Sequence, residues 1–353
     1  MKILVIQQKM IGDVLISSVI CENLKRNFPT AEVHYLINRF TFPVVENHKH
    51  IDKFVFFEDE YKNHKLKFLD FLNNLKSEAY THVFDAYGKL ESNLITYFTG
   101  AQFKFSYNKW YTNWLYTKTF KESSIAKTEA GSAIENRLKL LQLLPEVEII
   151  NPKPKIYLSS TEVNTARSQI DSAELRNTNL IMVSALGSGD AKTYPLKYMA
   201  VLLNEITEKT DAHLILNYMP SQQEKINRLL EHCSNLTRTR IVNDLRPESL
   251  REFMAICSQC NLIFGNEGGA INIAKALDVP SFAIFSPWII KEGWNSFEES
   301  YPNTSVHLSD FKPSKLRDKK VKELKMNYEK LYQDLNPQLF NQQLIDFVCS
   351  HVS

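Results

Sequence analysis

A carboxylate stands at the start of the first helix that the sequence predicts. The chain opens MKILVIQQKMIGDVLISS, where the apolar run Ile3–Ile6 predicts a buried strand and an amphipathic helix begins near Gly12 and Asp13. An aspartate in this position can take a proton from a reacting hydroxyl, as a general base does. It can equally cap the helix, because a carboxylate stabilises the positive end of the helix dipole. Position alone leaves both interpretations open.

Glycine is scarce in this chain, and half of the glycines lie in two short segments. Only ten glycines occur in 353 residues, against the roughly 7% typical of proteins. Gly187 and Gly189 lie in VSALGSGDAKTYP, and Gly265, Gly268 and Gly269 lie in LIFGNEGGAINIAKAL. Each segment follows a predicted strand and precedes a predicted helix, which is where backbone amides can surround an anion.

The side chains beside these glycines indicate a ligand that carries both phosphate and hydroxyl groups. Ser188 offers a hydroxyl and Lys192 a positive charge, as a diphosphate requires. Glu267 would repel phosphate, so we expect it to contact neutral hydroxyls. Neither segment is a dinucleotide fingerprint or a P-loop. Two such turns favour a nucleotide sugar, although a strand–helix turn can also need glycine for conformational reasons alone.

The elements that position these residues alternate along both halves of the chain. Short apolar strands and longer amphipathic segments follow one another, the pattern of a parallel α/β sheet. Strands are predicted at 3–6, 33–37, 54–57, 82–84, 180–183, 214–216, 261–264 and 282–285. Pro152 and Pro154 exclude helix in NPKPKIYLSS and mark a linker.

We therefore predict two doubly wound domains with the ligand cleft between them, beyond the carboxyl ends of the strands. Their predicted ranges are 1–155 and 156–325, and a C-terminal helical segment over 326–353 packs on the body.

The bulk composition gives no sign of a membrane-spanning or nucleic-acid-binding protein. Hydrophobic residues make up 44% of the chain, charged residues 23%, and the net charge is +2. No apolar run approaches the roughly 18 residues of a spanning helix, and the N-terminus does not look like a signal peptide. No basic stripe or recognised nucleic-acid module is present. We expect a cytoplasmic protein.

The cysteines and histidines do not indicate a metal or redox site. Five cysteines suit a reducing compartment. Cys257 and Cys260 have the spacing of a redox or metal pair, but they share a predicted helix face with apolar residues, so we interpret them as core. His48 and His50 lack a nearby set of carboxylates or cysteines. We therefore expect no metal ion.

Taken together, three segments resemble glycosyltransferase family 9, the heptosyltransferase-like enzymes of bacterial lipopolysaccharide core assembly. They are MKILVIQQKMIGDVLISSVICENLKRNFPTAEVHYL, SALGSGDAKTYPLKYMAVLLNEI and LIFGNEGGAINIAKALDVPSFAIFSPW, which lie in the family's order. The resemblance implies a GT-B fold, with two Rossmann-like domains facing across a cleft. The first domain would hold the acceptor and the second the nucleotide-sugar donor. It also implies an inverting transfer that needs no metal ion or other cofactor.

The resemblance assigns roles to individual residues. Asp13 matches the general base, and Glu267 and Asn272 match positions that contact the donor sugar. The positions implied to contact the donor diphosphate are Gly187, Ser188, Gly189, Lys192, Gly268 and Gly269.

Four positions depart from the family's pattern. Glu267 replaces an aspartate, Gly268 a threonine, Asn272 a histidine and Tyr194 a tryptophan. Because these departures lie in the donor half, a UDP-, GDP- or other ADP-sugar remains an alternative to a heptose-like donor. A non-catalytic nucleotide-sugar-binding protein is a second alternative, against which the intact Gly12-Asp13 pair argues.

The acceptor side is indicated by an aromatic and basic segment, GAQFKFSYNKWYTNWLYTKTF. Aromatic rings can stack on sugars, and lysines attract phosphate groups or an anionic membrane surface. Core packing and solvation explain the same composition equally well. The residues proposed to contact the acceptor are Gly12, Arg39, Lys104, Lys109 and Trp110. The expected partners are a nucleotide-sugar donor and a lipopolysaccharide or glycolipid acceptor, with peripheral contact at the inner face of the cytoplasmic membrane and no nucleic acid.

Overall fold

The structure, a computed structural model that describes residues 1–352, divides into two compact units. The first unit comprises residues 1–157 together with 292–296, and the second comprises 158–291 together with 297–352. The short segment 292–296 thus belongs to the first unit, although the chain on either side of it belongs to the second. It lies against Gly131, where an added Cβ would be only 2.7 Å from the backbone oxygen of Asn295. The C-terminal residues from 326 to 352 belong to the second unit.

The first unit is built on a parallel sheet of six strands. The strands are β1 (Lys2–Ile6), β2 (Glu32–Asn38), β3 (Lys53–Phe57), β4 (His82–Asp85), β5 (Phe103–Tyr107) and β6 (Lys118–Phe120). The helices are α1 (Ile11–Asn27), α2 (Lys65–Ser77), α3 (Leu90–Phe98) and α4 (Gly131–Leu141). The spatial order is β3-β2-β1-β4-β5-β6. Strand order therefore reverses between β1 and β4.

The second unit is built on a parallel sheet of five strands. They are β7 (Leu180–Ser184), β8 (His213–Leu216), β9 (Leu262–Asn266), β10 (Ser281–Ile284) and β11 (Asn303–Val306). The helices from α5 onward are α5 (Ser160–Ser172), α6 (Leu196–Lys209), α7 (Gln223–His232), α8 (Asn235–Arg240), α9 (Leu250–Cys257), α10 (Gly269–Ala276), α11 (Lys291–Trp294), α12 (Leu308–Phe311), α13 (Val321–Met326), α14 (Tyr328–Asp334) and α15 (Asn341–Cys349). Of these, α11 belongs to the first unit from residue 292 onward. The spatial order is β11-β10-β9-β7-β8, so strand order reverses between β7 and β9.

Central strands in both sheets are continuous apolar runs because helices cover both faces of a parallel sheet. The residues Ile3–Ile6 are fully buried, as are Ile181, Met182 and Val183. The C-terminal helix α15 packs against α6 and buries Leu344 in the core of the second unit. The α/β fold class predicted from the sequence is confirmed.

The eight strands predicted from apolar runs each overlap a strand of the structure, but three further strands were not predicted. The strands that the apolar runs did not predict are β5, β6 and β11. The outer two, β6 and β11, have only three and four residues and form sheet edges. Strands β5 and β6 lie within the aromatic and basic segment, where lysines interrupt the apolar pattern.

His48 makes the stability of the first unit sensitive to acid. The side chain is buried, and its Nε2 has no hydrogen-bond partner among the described residues. Burial lowers the pKa of His48 to about 4, although Glu22 acts in the opposite direction. The unfolded chain therefore takes up the proton first as the pH falls, and stability is lost between about pH 6.5 and pH 4.

We expect this one group to account for about 3 kcal/mol of the free energy of unfolding lost between pH 7 and pH 4. Urea unfolding at several pH values measures it, with His48→Gln compared to the unsubstituted protein. His64→Gln, at an exposed position, controls for the loss of one histidine. If His48→Gln unfolds with the same pH dependence as the unsubstituted protein, this account of His48 is wrong.

Candidate functional site

Both units place chemically active residues where strand order reverses, at the carboxyl ends of the strands. In open α/β sheets this is where ligands bind. In the first unit the loop and helix after β1 carry Gly12 and Asp13. In the second, the loops after β7 and β9 carry the two glycine segments. In each unit, therefore, the candidate residues lie at the carboxyl end of a strand where strand order reverses.

Asp13 both closes the start of α1 and forms an ion pair. Its Oδ2 accepts a hydrogen bond from the Met10 backbone amide at 3.2 Å, and its Oδ1 accepts one from Arg137 Nη2 at 3.0 Å. The Asp13 side chain keeps 28% of its surface exposed, whereas Arg137 keeps 11%. The capping and reactive interpretations are therefore compatible, because the carboxylate is held firmly and still reaches solvent.

Arg137 is a site residue that the sequence does not indicate. It lies on α4, which packs against α1, and it also donates from Nε to Ser17 Oγ at 3.2 Å and from Nη1 to the Ala133 carbonyl at 3.1 Å. Burial alone would lower the pKa of the guanidinium, but Tyr107 and Asp13 keep that pKa above its usual value. A permanently charged, well-held arginine thus fixes the orientation of the Asp13 carboxylate.

The neighbouring strand end builds a turn around a buried aspartate. Asp85, the last residue of β4, accepts hydrogen bonds from the amides of Tyr87 at 3.0 Å and Gly88 at 2.8 Å and from the Tyr116 hydroxyl at 2.6 Å. Burial raises the pKa of this carboxyl. Lys109 donates from Nζ to the Gly88 carbonyl. The structure therefore brings Lys109, a predicted acceptor residue, to the carboxyl edge of the sheet.

The other predicted acceptor residues are more scattered. Arg39 follows β2 and pairs with Glu58, from Nε to Oε1 at 2.8 Å, with its guanidinium 4.1 Å from the centroid of the Phe56 ring. Lys104 lies on β5, and Trp110 is 88% exposed. Gly12 lies in the first turn of α1. These contacts leave Trp110 and Lys109 as the better candidates for ligand contact.

The loop after β7 folds tightly on itself. An added Cβ at Gly187 would be 2.1 Å from the Lys192 carbonyl oxygen. The Gly187 amide donates to Thr193 Oγ1 at 3.1 Å, and that hydroxyl donates to the Gly189 carbonyl at 2.9 Å. Ser188 is exposed on this loop. The loop thus presents backbone, the Ser188 hydroxyl, Lys192 and the exposed carboxylate of Asp190, which pairs with Lys225.

Asn266 joins the two glycine segments and was not predicted as a site residue. Its Nδ2 donates to the carbonyls of Ser184 at 2.9 Å and Ala185 at 2.8 Å, and its Oδ1 accepts from the Tyr194 amide at 2.6 Å. Gly265 permits this close approach, because an added Cβ there would be 2.3 Å from the Ser184 oxygen. One buried amide therefore fixes the ends of β7 and β9 relative to each other.

Glu267 is the buried carboxyl of this site. Its backbone amide donates to the Ile284 carbonyl at 2.9 Å. Burial raises the pKa of its carboxyl above the usual range, while the positive charges of Lys192 and Lys275 act against that rise. Lys192 is thus near enough to act on Glu267 electrostatically. Lys192 follows β7 and Glu267 follows β9, and these two strands are neighbours in the sheet.

The helix that follows Glu267 begins with two glycines. Gly268 has a φ of +157°, which few other residues adopt, and it is the cap of α10. Gly269 is the first residue of that helix, and an added Cβ at either glycine meets no atom within 4 Å. Asn272 lies one turn further on and is half-buried. Open space thus adjoins the start of α10.

Trp288, after β10, completes the site and was also not predicted. Its Nε1 donates to the Ala191 carbonyl at 2.7 Å, which also accepts from Ser286 Oγ at 2.7 Å. Lys192 Nζ lies 5.6 Å from the Trp288 ring centroid, and Lys325 Nζ lies 5.0 Å from it. The tryptophan therefore anchors the short turn that carries Lys192. Within residues 1–352, no group of three His, Cys, Asp or Glu side chains is arranged to hold a metal ion.

We expect Gly187→Ala to abolish nucleotide binding, while Gly189→Ala is tolerated. A methyl group at Gly187 collides with backbone and forces the loop that carries Lys192 to move. Gly189 has extended backbone and nothing within 4 Å of an added Cβ, so it is a matched control. Thermal unfolding with and without ADP measures both effects. Equal stabilisation of the two variants by ADP would mean that this loop does not hold the nucleotide.

Comparison with protein families gives a match over most of the chain. A sequence profile of the family described as Glycosyltransferase family 9 (heptosyltransferase) matches residues 68–317. No curated protein sequence matches the chain significantly.

Solved structures similar to this chain include a family 9 glycosyl transferase and two heptosyltransferases. A family 9 glycosyl transferase from Veillonella parvula DSM 2008 is 16% identical, with a TM-score of 0.76, covering 94% of this chain and 97% of that one. The E. coli ADP-heptose lps heptosyltransferase II is 16% identical, with a TM-score of 0.65 and coverage of 95% and 99%. The E. coli heptosyltransferase WaaC with ADP is 14% identical, with a TM-score of 0.66 and coverage of 94% and 100%. The predicted GT-B type of fold, with two Rossmann-like units, is confirmed.

Proposed function

Because the chain belongs to glycosyltransferase family 9 and is a glycosyltransferase, we propose that it transfers a heptose-like sugar from a nucleoside diphosphate to a lipopolysaccharide core or related surface glycan. The observation that carries this proposal is the set of groups at the β7, β9 and β10 ends. A tight glycine loop, a lysine and a buried carboxyl there suit a diphosphate that is joined to a sugar. The E. coli protein WaaC, which has a similar fold, has been solved with ADP.

The proposed reaction inverts the anomeric centre in one displacement. The acceptor hydroxyl attacks the anomeric carbon, the bond to the diphosphate oxygen breaks, and the hydroxyl proton passes to the Asp13 carboxylate. The diphosphate leaves as an anion, and Lys192, the Ser188 hydroxyl and the amides near Gly268 stabilise its charge. These groups supply the positive potential without a metal ion. Asp13 contributes as a general base, an effect typically worth about 10²–10⁴-fold.

Glu267 and Asn272 would bind hydroxyls of the donor sugar. The Glu267 carboxyl lies within electrostatic reach of Lys192 and adjoins the open start of α10. Its extra methylene, compared with the aspartate of the family, and the missing side chain at Gly268 change the shape of the sugar pocket. That observation favours a second candidate, in which the donor is a UDP- or GDP-sugar.

A donor panel tests the proposal. The full chain is incubated with ADP-heptose, UDP-glucose and GDP-mannose, and the release of each nucleoside diphosphate is measured with and without a lipopolysaccharide core acceptor. We expect acceptor-dependent release from ADP-heptose, and at least about a hundredfold slower release when Asp13→Asn protein replaces the unsubstituted protein. Turnover of only a UDP- or GDP-sugar selects the second candidate. Binding without turnover of any donor identifies a non-catalytic nucleotide-sugar-binding protein.

We further propose that the protein works in the cytoplasm, where the aromatic surface of the first unit contacts the membrane that holds the acceptor. No helix among residues 1–352 is both long and apolar enough to cross a bilayer. Trp110 and Trp114 are 88% and 77% exposed, and Tyr97 lies 6.4 Å from the Trp114 ring. Aromatic rings beside lysines are suited to an anionic lipid interface.

The double variant Trp110→Ala, Trp114→Ala should sediment with anionic phospholipid vesicles several-fold less than the unsubstituted protein. Each exposed ring buries apolar area in the interface, at roughly 25 cal/mol per Å². Leu66→Ala, a similarly exposed apolar position at 77%, is the control and should sediment normally. Sedimentation of the double variant at the level of the control would remove this surface from the proposal.

A further inference from the structure

A pocket of about 410 Å³ lies beside β11, the edge strand of the second sheet. A volume of this size is typical of small-molecule sites. All of its lining residues belong to the second unit, and none of the residues assigned to the donor lines it. The lining residues that bear on its chemistry are Lys291, Glu298, Ser305, Asp310, Phe311 and Gln343.

Two polar atoms of the lining are buried without a hydrogen-bond partner. They are Glu298 Oε1 and Ser305 Oγ, neither of which bonds to any described residue. The Ser305 residue is only 6% exposed. Burying an unpaired polar atom costs free energy that a bound ligand can recover. A carboxylate only accepts hydrogen bonds, so the ligand must present a donor such as a hydroxyl to Glu298.

The charges of the lining disfavour an anionic ligand. Lys291 Nζ donates to Asp310 Oδ2 at 2.8 Å and to the Ser305 backbone oxygen at 3.3 Å. This lysine is therefore compensated by Asp310, and the negative charge of Glu298 has no cation in the lining to balance it. A phosphate or nucleotide would be repelled here, in contrast to the site around Lys192.

The remaining lining suits a molecule with hydroxyls around an apolar ring face. Phe311 offers an aromatic surface and packs near Phe340, with ring centroids 6.3 Å apart and an angle of 29° between the ring planes. The Gln343 side chain is exposed at the rim and can both donate and accept. Sugar rings combine an apolar face of C–H groups with hydroxyls at the edge, and aromatic rings beside carboxylates and amides complement both.

We propose that this pocket binds an uncharged saccharide at a site separate from the one that holds the donor. It gives the protein a third carbohydrate contact, beside the donor sugar and the acceptor, which the transfer reaction does not require. The proposal does not depend on which nucleotide sugar is the donor.

A glycan array with the purified full chain tests it. The array measures how much protein each immobilised glycan retains. We expect neutral oligosaccharides to retain the protein, and uronic-acid-containing ones to retain at least about tenfold less of it. Glu298→Gln, Ser305→Ala and Phe311→Leu should each weaken retention at least about tenfold. Saturation-transfer NMR with a retained neutral oligosaccharide gives the affinities. Thermal stabilisation by ADP should stay normal in these variants, which shows that they are folded and that the donor site is intact.

Asp13→Asn and Lys192→Met distinguish the pocket from the transfer site. Both should retain neutral oligosaccharides as the unsubstituted protein does. Loss of retention in Asp13→Asn would place the saccharide at the acceptor site and overturn the proposal. Equal retention by the three pocket variants, preference for acidic glycans, or no retention of any neutral glycan would each overturn it too. A failed ADP response in the unsubstituted protein would count against an ADP-linked donor alone, and the thermal unfolding midpoints of the variants would then show whether they are folded.

Discussion

Asp13→Asn is expected to lower the turnover number at least about a hundredfold while nucleotide binding stays intact. General base catalysis is typically worth about 10²–10⁴-fold, and an asparagine side chain cannot accept the acceptor's proton. The single oxygen of the amide can still accept from the Met10 amide, which closes the start of α1, but its NH2 group cannot accept from Arg137 Nη2. We expect a folded protein of lower stability, and thermal unfolding with and without ADP checks this. Turnover is measured with a saturating donor and acceptor.

Arg137→Met is the informative companion variant. It removes the guanidinium that holds Asp13 Oδ1 but leaves the carboxylate in place. We expect a smaller loss of turnover than in Asp13→Asn, together with a changed pH profile. If Asp13→Asn transfers sugar at the normal rate, Asp13 serves only the helix start and the ion pair. If turnover falls but its pH dependence is unchanged, Asp13 orients the acceptor rather than taking its proton.

Lys192→Met is expected to weaken ADP binding about 10- to 100-fold and to lower turnover by about 10²–10³-fold. A fixed cation near the diphosphate stabilises the charge that develops as this group leaves, and removing one such group typically has an effect of this size. Isothermal titration with ADP and steady-state kinetics measure the two losses separately. The substitution should also let Glu267 bind a proton at higher pH, because Lys192 opposes the rise in the pKa of that carboxyl.

Lys325→Met is the matched control, since both lysines lie over the Trp288 ring. Lys325 is not in the glycine loop, and we expect its loss to change ADP affinity less than threefold. Equal losses in the two variants would mean that the charge around Trp288, and not the loop position of Lys192, holds the nucleotide. Unchanged affinity in Lys192→Met would remove this residue from the proposed donor site.

The residues that were predictable are those whose signal is local. The apolar run before Asp13 predicts β1, and Gly187, Lys192 and Glu267 stand in short segments that predict a strand, a turn and a helix. Their neighbourhood in space follows from the general rule that ligands bind where strand order reverses. Signals within a dozen residues thus predict the strands, turns and helix starts before the fold is known, whereas the roles of these residues stay a prediction.

The residues that were missed act over long separations. Arg137 meets Asp13 across 124 positions because α4 packs on α1. Asn266 and Tyr194 each stand in one of the glycine segments, but their hydrogen bond joins positions 72 residues apart, and neither segment alone indicates it. Trp288 follows β10, and no glycine near it indicates a ligand-binding turn. Strands β5 and β6 were overlooked because lysines hide their alternation. In each case tertiary packing, and not local preference, decides the contact.

Residues 292–296 belong to the first unit although the chain on either side of them belongs to the second. This limits how related genes can exchange their halves by recombination. A gene for the second half alone would encode five residues whose place is beside Gly131 in the other half. A chimaera joined at 157/158 with a relative's second half would therefore bring a foreign segment into the first unit. Recombination between such enzymes should succeed only when the two parents agree at both places, so that their halves are inherited as co-adapted pairs.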